Sequence, residues 1–136
     1  MPQSDNASSL NLTGLWHGLY SYPFGKKPVS FVATLSDSDG WFNGTTEEVG
    51  TAGDAIGQRL IASLQGRRSG RSVTMLKIYH GPYVFYDSVH YAGDLNEDGT
   101  EISGTWHIAG SWSGTFLMIR SRTTASAETE ESVEQT

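Results

Sequence analysis

The chain has 136 residues, 16 of them glycine, 11% aromatic residues, no cysteine and a formal net charge of −6 at pH 7. The lack of cysteine excludes disulfides and thiolate metal sites, and the acidic balance argues against nucleic-acid binding. No apolar run approaches the roughly 20 residues that a membrane helix needs, so we expect no membrane insertion. Frequent glycines and aromatic residues at this length are typical of one domain built from a twisted sheet.

Both ends of the chain lack the composition of a folded segment. Residues 1–10 begin MPQSDNASS, and residues 123–136 contain four glutamates and one valine. Such segments bury too little apolar area to offset the entropy of ordering. We therefore predict disorder at 1–10 and 123–136 and a folded domain at 11–122. Neither end has the features of a signal peptide, so we expect a cytoplasmic protein.

Short segments separated by turn signals follow one another from residue 12 to residue 121. The pattern predicts strands at 12–22, 28–36, 41–49, 58–65, 71–79, 86–95, 100–108 and 112–121. Clusters of Asp, Asn and Gly at 36–40 and 96–99 are typical of hairpin turns. Because hairpins join all the segments, we predict an all-β fold, an eight-stranded antiparallel up-and-down barrel whose closure removes exposed sheet edges.

The last hairpin allows its register to be predicted. A three-residue loop at 109–111 places Ile108 opposite Trp112 and Trp106 opposite Gly114. A two-residue loop would mix apolar and polar residues on both faces, so the alternation selects this register. The predicted inner face is apolar and aromatic, and it consists of Ile102, Gly104, Trp106, Ile108, Trp112, Gly114, Phe116 and Met118.

The first predicted strand contains Gly14-x-Trp16, and Arg120 lies near the end of the last. In an even-stranded meander these two strands are neighbours. The combination resembles the signature of the calycins, the superfamily of lipocalins, fatty-acid-binding proteins and avidins. GWFNGTTEE at 40–48 is also similar to a Gly-Thr strand of avidins, although avidin's ligand contacts cannot be placed on this chain. The resemblance implies an indole that closes one barrel end, with the arginine packed across it.

A second resemblance concerns GLWHG at 14–18 followed by Tyr22-Pro23, which is similar to the opening motif of the haem-binding nitrobindins. The haem ligand of that family is a histidine close to the C-terminus. Here the last histidine is His107, and the predicted register places it on the outer face. Haem is therefore a minor alternative, and we expect no cofactor.

The predicted connections differ between the two ends of the barrel. Those at 36–40, 66–70 and 96–100 are short and polar, whereas the first, third and fifth connections are longer and contain Pro, Gly and aromatic residues. Longer loops at one rim indicate the mouth of a ligand cavity. We expect Phe24, Tyr83 and Phe85 to form its lip.

Large side chains predicted to face inward leave room for a compact ligand, and inward glycines at 14, 18, 93, 104 and 114 thin the wall. We therefore predict a cavity, smaller than that of a lipocalin, for a compact apolar or aromatic molecule. The predicted ligand-binding residues are Tyr20, Phe31, Lys77, Tyr79, Tyr91, Trp106, Trp112 and Phe116.

Two strands carry polar residues whose direction the pattern leaves open. Glu47 and Glu48 are adjacent, so one of them faces inward in a strand. On the fifth strand, one choice of face buries Lys77, which would then pair with one of the glutamates. The other choice leaves Lys77 in water and places His80 at the rim. The cost of desolvating an ion pair favours the second choice unless the lysine serves a purpose.

These features support three functions. The first is binding of a small molecule inside the barrel. The second is a cofactor-free isomerase, cyclase or hydratase, in which Glu47 or Glu48 moves a proton while tyrosines stabilise developing negative charge. The third is a structural module with a filled interior, in which Leu117 and Ile119 on the outer face of the last strand form a homodimer contact.

Overall fold

The computed structural model describes residues 10–25, 27–51, 53–81, 88–110 and 112–121. Within these residues, eight antiparallel strands in chain order form a closed barrel, so the predicted fold class is confirmed. The strands are β1 (Gly14–Ser21), β2 (Val29–Ser38), β3 (Trp41–Val49), β4 (Arg59–Ser69), β5 (Ser72–Tyr79), β6 (Val89–Leu95), β7 (Glu101–His107) and β8 (Ser113–Arg120). A 3₁₀ turn (Gly53–Ala55) lies between β3 and β4. None of the helical structure in the described ranges is long and apolar enough to cross a membrane.

The register predicted for the last hairpin is confirmed. β7 and β8 pair Trp106 with Gly114, and the N–H of Ile108 donates to the carbonyl of Trp112 at 2.8 Å. β4 differs from prediction, because it continues to Ser69 in a ladder with β5. The stretch predicted as a connection at 66–70 is therefore mostly strand.

Alternation between faces explains why these residues form strands and where the core lies. In β2, Val29, Phe31, Ala33 and Leu35 are buried while the residues between them are exposed. Period-2 burial of this kind places one face of each strand in the barrel interior. The segments predicted to be disordered, 1–10 and 123–136, lie outside the described residues apart from Leu10. Leu10 packs against the core.

Aromatic rings fill the space beside several inward glycines. A Cβ built on Gly18 would lie 2.2 Å from the ring of Phe31, and one on Gly114 would lie 2.7 Å from the indole of Trp106. Packing at protein density leaves no room for both groups. The glycines therefore accommodate rings, and the expectation that they thin the wall around open space is wrong at these positions.

Trp16 closes the barrel end at which β1 starts and β8 finishes. Its side chain is fully buried, and its indole N–H donates to the carbonyl of Leu12 at 2.9 Å. The guanidinium of Arg120 lies 4.5 Å from the centroid of the Trp16 ring. Gly14 has a φ of 138°, a conformation that favours glycine. The arrangement expected from Gly-x-Trp and a late arginine is thus present.

The longer connections lie at the opposite end, as predicted from the sequence. Phe24, one of the expected lip residues, is largely exposed, and its ring meets that of Trp112 edge-on at 5.6 Å. Tyr83 and Phe85, the other two, lie outside the described residues. This end of the barrel therefore carries exposed aromatic rings, whereas the end at Trp16 is closed.

Replacing Trp16 with alanine tests the closure. We expect Trp16→Ala to lower the free energy of unfolding by about 3–5 kcal/mol, because it removes a large buried side chain from a packed end. Urea denaturation measures the loss. Trp41→Ala is the matched control, since 61% of that indole is exposed, and it should cost less than about 1 kcal/mol. Equal losses in the two variants would contradict the assignment of Trp16 as the closing residue.

Candidate functional site

An ion pair lies inside the barrel between Lys77 on β5 and Glu48 on β3. The distance from Lys77 Nζ to Glu48 Oε1 is 2.6 Å, and both side chains are almost completely buried. Because β4 lies between the two strands in the sheet, the lysine reaches the carboxylate through the interior. The sequence left the facing of both strands open, and the face that buries the lysine is the one adopted.

The expectation that desolvation keeps Lys77 in water is therefore wrong. Four aromatic rings enclose its ammonium group, with centroid distances of 4.6 Å for Phe31, 4.8 Å for Tyr79, 5.1 Å for Tyr20 and 5.9 Å for Tyr91. Cation–π attraction to desolvated rings and the contact with the carboxylate offset part of the lost hydration.

Two tyrosines complete the hydrogen bonding of the carboxylate. The hydroxyl of Tyr20 donates to Glu48 Oε2 at 2.6 Å, and that of Tyr79 donates to Oε1 at 2.9 Å. Glu48 thus accepts from two phenols and one ammonium group, and both of its oxygens are bonded. We refer to Tyr20, Glu48, Lys77 and Tyr79 as the Glu48 cluster.

The cluster alters the titration of its members. Burial raises the pKa of Tyr20 and of Tyr79 above the ordinary value of 10.0, and the charge of Glu48 adds to the effect. Burial lowers the pKa of Lys77 from 10.5, and the charge of Glu48 opposes this shift. The phenols therefore remain O–H donors at all ordinary pH values, while the amine is easier to deprotonate than an exposed lysine.

Glu47 lies on the outer wall, away from the cluster. Its carboxylate pairs with Arg59, whose Nε lies 3.4 Å from Glu47 Oε2. Adjacent residues of a strand point to opposite faces, so the burial of Glu48 requires the exposure of Glu47. Of the two predicted catalytic carboxylates, Glu48 alone lies with the tyrosines.

Thr46 adds a polar atom to the same interior wall. Its hydroxyl is buried and has no hydrogen-bond partner among the described residues. Thr46 precedes Glu48 by two positions on the inward face of β3, and its register partners are Ala33 and Ala62. A buried hydroxyl without a partner costs about 1–3 kcal/mol, which a polar group bound beside it would recover.

The other predicted ligand-binding residues divide between the core and the rim. Tyr91 and Phe116 are buried, with ring centroids 5.0 Å apart. Trp106 is buried and packs edge-on against Tyr20. Trp112 lies at the rim with 40% of its surface exposed and contacts Tyr22.

Tyr22 was not predicted as part of the site. Its ring packs edge-on against Tyr20 at 5.8 Å and Trp106 at 5.4 Å, so it joins the cluster to the rim. A tyrosine directly before Pro23, at the end of β1, was the available sequence signal.

All four histidines of the chain are exposed. His90 and His107 stack on the outer wall with ring centroids 5.0 Å apart, which confirms that both face outward. No group of three potential metal ligands exists within the part of the chain that the structure describes. The interior therefore offers no histidine to a haem iron.

An apolar patch covers part of the outer wall on β8, β1 and β2. Leu117 pairs with Leu19 across the strands, and His17 lies between Ile119 and Val32. Between 38% and 45% of the surface of Leu19, Val32 and Ile119 is exposed. The homodimer contact inferred for Leu117 and Ile119 stays a prediction.

Comparisons with known proteins do not identify a family. Neither the models of known protein families, nor the curated proteins, nor the solved structures provide a match to this chain. The barrel is compatible with a calycin-like fold, and the site must be interpreted from its own geometry.

The buried pair and the adjacent exposed glutamate allow a matched test of the site. We expect Glu48→Gln to lower the free energy of unfolding by about 3 kcal/mol, because it leaves the ammonium of Lys77 buried without a counter-charge. Glu47→Gln, one residue away on the outer wall, should have a much smaller effect. Chemical denaturation of both variants measures the difference, and equal stability would contradict the burial of Glu48.

A double variant tests whether the buried ion pair stabilises the barrel more than apolar side chains of similar size would. Replacing the pair by apolar side chains of similar size, Glu48→Leu with Lys77→Met, should restore most of the stability lost in Glu48→Gln, because no charge is left unpaired. If the double variant is instead less stable than Glu48→Gln, the ion pair contributes net stability to the barrel.

Alkaline titration tests the buried phenols. A raised folded-state pKa of Tyr20, Tyr79 and Tyr91 contributes stability that is complete below the unfolded value of 10.0 and declines above it. The lowered pKa of Lys77 acts in the opposite direction, but only up to 10.5. We therefore expect stability to fall above about pH 10.5, with these tyrosines ionising as the barrel unfolds. Tyrosinate absorbance with parallel circular dichroism checks this, and full ionisation of the chain's six tyrosines in a folded barrel would contradict it.

Proposed function

We propose that this chain is a calycin-like barrel that binds one compact, largely apolar or aromatic molecule at the Glu48 cluster. The single observation that carries the proposal is the buried Glu48–Lys77 pair, at 2.6 Å in a largely apolar interior. A buried ion pair seldom repays its desolvation, and apolar side chains of similar volume often stabilise a fold as well or better. A role in orienting a ligand explains why a buried ion pair stands here instead of apolar side chains.

The position of the cluster supports access from one end. Glu48 is the penultimate residue of β3, and Tyr79 is the last residue of β5. Both strands finish at the end with the longer connections, opposite Trp16. Tyr22 and Tyr79 are only partly buried there, so they link the buried pair to the surface. Binding sites in small barrels commonly lie in such mouths.

The size of the ligand follows from the packing. Rings of Phe31 and Trp106 occupy the space beside inward glycines, so the interior cannot accept a long chain. Apolar burial would supply most of the affinity, at about 25 cal/mol per Å² removed from water. The hydroxyls of Tyr20 and Tyr79 can exchange a present contact for a hydrogen bond to the ligand, because a phenol both donates and accepts.

Calycin membership belongs to the same proposal. What supports it is the indole of Trp16 beneath the guanidinium of Arg120, at 4.5 Å, in an eight-stranded barrel of matching strand order. Arg120 also donates to the carbonyls of Gly99 and Asn11, at 2.8 and 2.6 Å. An arginine packed across the indole at the barrel closure is what the resemblance implies for that position.

The arrangement of Tyr20 and Tyr79 on Glu48 favours a second candidate, a cofactor-free isomerase, cyclase or hydratase. A carboxylate that accepts a hydrogen bond from a phenol can exchange a proton with a substrate, and the phenols can stabilise an oxyanion. In that case Glu48 is the general base, and Glu47, on the outer wall, takes no part.

The first experiment is native mass spectrometry, with an absorption spectrum, of protein purified without added ligand. We expect a stoichiometric extra mass of a few hundred daltons or less, because the rings beside the inward glycines limit the space to a compact molecule. Glu48→Gln should lose this mass or bind it more weakly, and Glu47→Gln should retain it. A Soret band would instead support haem binding.

The outcomes separate the candidate functions. If Glu48→Gln binds the molecule but no longer converts it, the enzyme is the correct interpretation. If wild type carries no mass and binds none of a panel of compact aromatic compounds, the binding proposal is wrong. The cofactor-free enzyme and the structural module then remain as candidate functions.

A further inference from the structure

Lys77 places a primary amine inside an aromatic interior. Among the described residues its ammonium donates a hydrogen bond to Glu48, and rings lie on its other sides. The chain has two other lysines, Lys26 and Lys27, which are adjacent in the connection between β1 and β2, and Lys27 is exposed. The interior amine is therefore chemically distinct from the other lysines of the same chain.

We propose that Lys77 forms an imine with the carbonyl carbon of a compact aldehyde, so that the barrel binds aldehydes covalently and reversibly. The inference rests on the proposed function, because it assigns a ligand class to the same interior site. Two contacts carry the inference. The Lys77 amine lies 2.6 Å from the Glu48 carboxylate, and the Tyr79 hydroxyl lies 2.9 Å from the same carboxylate.

The carboxylate supplies the base that the amine needs. An ammonium group must lose a proton before its nitrogen can attack carbon, and Glu48 Oε1 lies within direct hydrogen-bond distance to accept it. Burial away from water disfavours the charged form of the amine and lowers the pKa of Lys77, although the charge of Glu48 opposes this shift. Geometry and burial therefore make the neutral, nucleophilic amine easier to form than that of an exposed lysine.

The reaction balances within the site. The nitrogen lone pair forms the N–C bond, the carbonyl π electrons move to oxygen, and one proton passes from nitrogen to that oxygen to give a carbinolamine. Protonated Glu48 then returns its proton to the hydroxyl, the C–O bond breaks, water leaves and the C=N bond forms. The products are one water and a protonated imine that stays paired with the Glu48 carboxylate. No oxidant or reductant is required.

The presence of lysine rather than arginine at position 77 supports a reactive role over a purely structural one. Arginine forms two parallel hydrogen bonds to a carboxylate and is more easily desolvated, so it suits a buried structural pair better. Lysine is the residue whose amine deprotonates readily when buried. The hydroxyl of Thr46, which has no hydrogen-bond partner in the described part of the chain, lies on the same wall and can donate to a bound carbonyl oxygen.

Reductive trapping tests the proposal on the full chain. Wild-type protein is incubated at neutral pH with benzaldehyde and sodium cyanoborohydride, which reduces an imine to a stable secondary amine. Intact mass and peptide mapping then locate the benzyl group. We expect at least about tenfold more modification at Lys77 than at Lys27, because Glu48 accepts the proton of the Lys77 ammonium and the interior holds the aldehyde beside the amine, whereas Lys27 is exposed. Lys27→Arg should leave the adduct at Lys77 unchanged, and Lys77→Arg should abolish it.

Binding of benzyl alcohol, which has the same ring but no carbonyl carbon, separates failure of the inference from failure of the proposed function. Tryptophan fluorescence reports its binding, since Trp106 adjoins the cluster. If benzyl alcohol binds but benzaldehyde labels Lys77 no more than Lys27, the imine inference is wrong and the binding proposal stands. If benzyl alcohol does not bind and no adduct forms at Lys77, both are wrong for this ligand class. The comparison of Lys77 with Lys27 is made in the wild-type protein, so it remains valid if the Lys77→Arg variant does not fold.

Discussion

The contact between Arg120 and Trp16 joins the last strand to the first, and the rest of the barrel depends on that closure. The two residues are register partners, and the guanidinium covers the indole while donating to carbonyls of the chain before β1 and of the turn before β7. An open sheet of eight strands would expose two edges and both faces. Closure removes the edges and turns one face into an interior from which water is excluded.

Exclusion of water gives the Glu48 cluster its chemical character. In water, a carboxylate and an ammonium group attract each other weakly, as expected for the exposed pair of Glu47 and Arg59. Inside the barrel the same attraction is stronger, but each group has lost its hydration, so the protein must supply every hydrogen bond. Tyr20 and Tyr79 donate hydrogen bonds to Glu48, and cation–π contacts with aromatic faces replace part of the hydration of Lys77. The result is a polar site whose groups remain available to a ligand that replaces some of these contacts.

The pairing of rings with glycines determines how much space remains around that site. Phe31 lies over Gly18, and Trp106 lies over Gly114, so large side chains fit in a barrel of small radius. The same packing that stabilises the interior limits the ligand to a compact molecule. Size selection and stability therefore have one physical origin, and a ligand must compete with side-chain packing as well as with water.

Strand order and the register of the last hairpin could be predicted from the sequence. The turn clusters fix where hairpins form, and alternation in the last hairpin selects the one register that pairs Trp106 with Gly114. Gly14, Trp16 and Arg120 indicated the closure, because an even number of hairpin-linked strands brings the two chain ends together. The turn clusters and the alternation are local signals, and the closure follows from the number of strands alone.

The site itself was decided by tertiary structure. Alternation requires that one of Glu47 and Glu48 faces inward, but the neighbouring Gly44, Thr45 and Thr46 are too similar in polarity to indicate which. For β5, the desolvation cost of an ion pair favoured the wrong face for Lys77, because part of the compensation comes from aromatic rings on other strands. Glu48 reaches Lys77 across β4, and Tyr20 joins them from β1. These groups meet only because the sheet closes with one particular stagger, a property of the whole barrel that no single segment encodes.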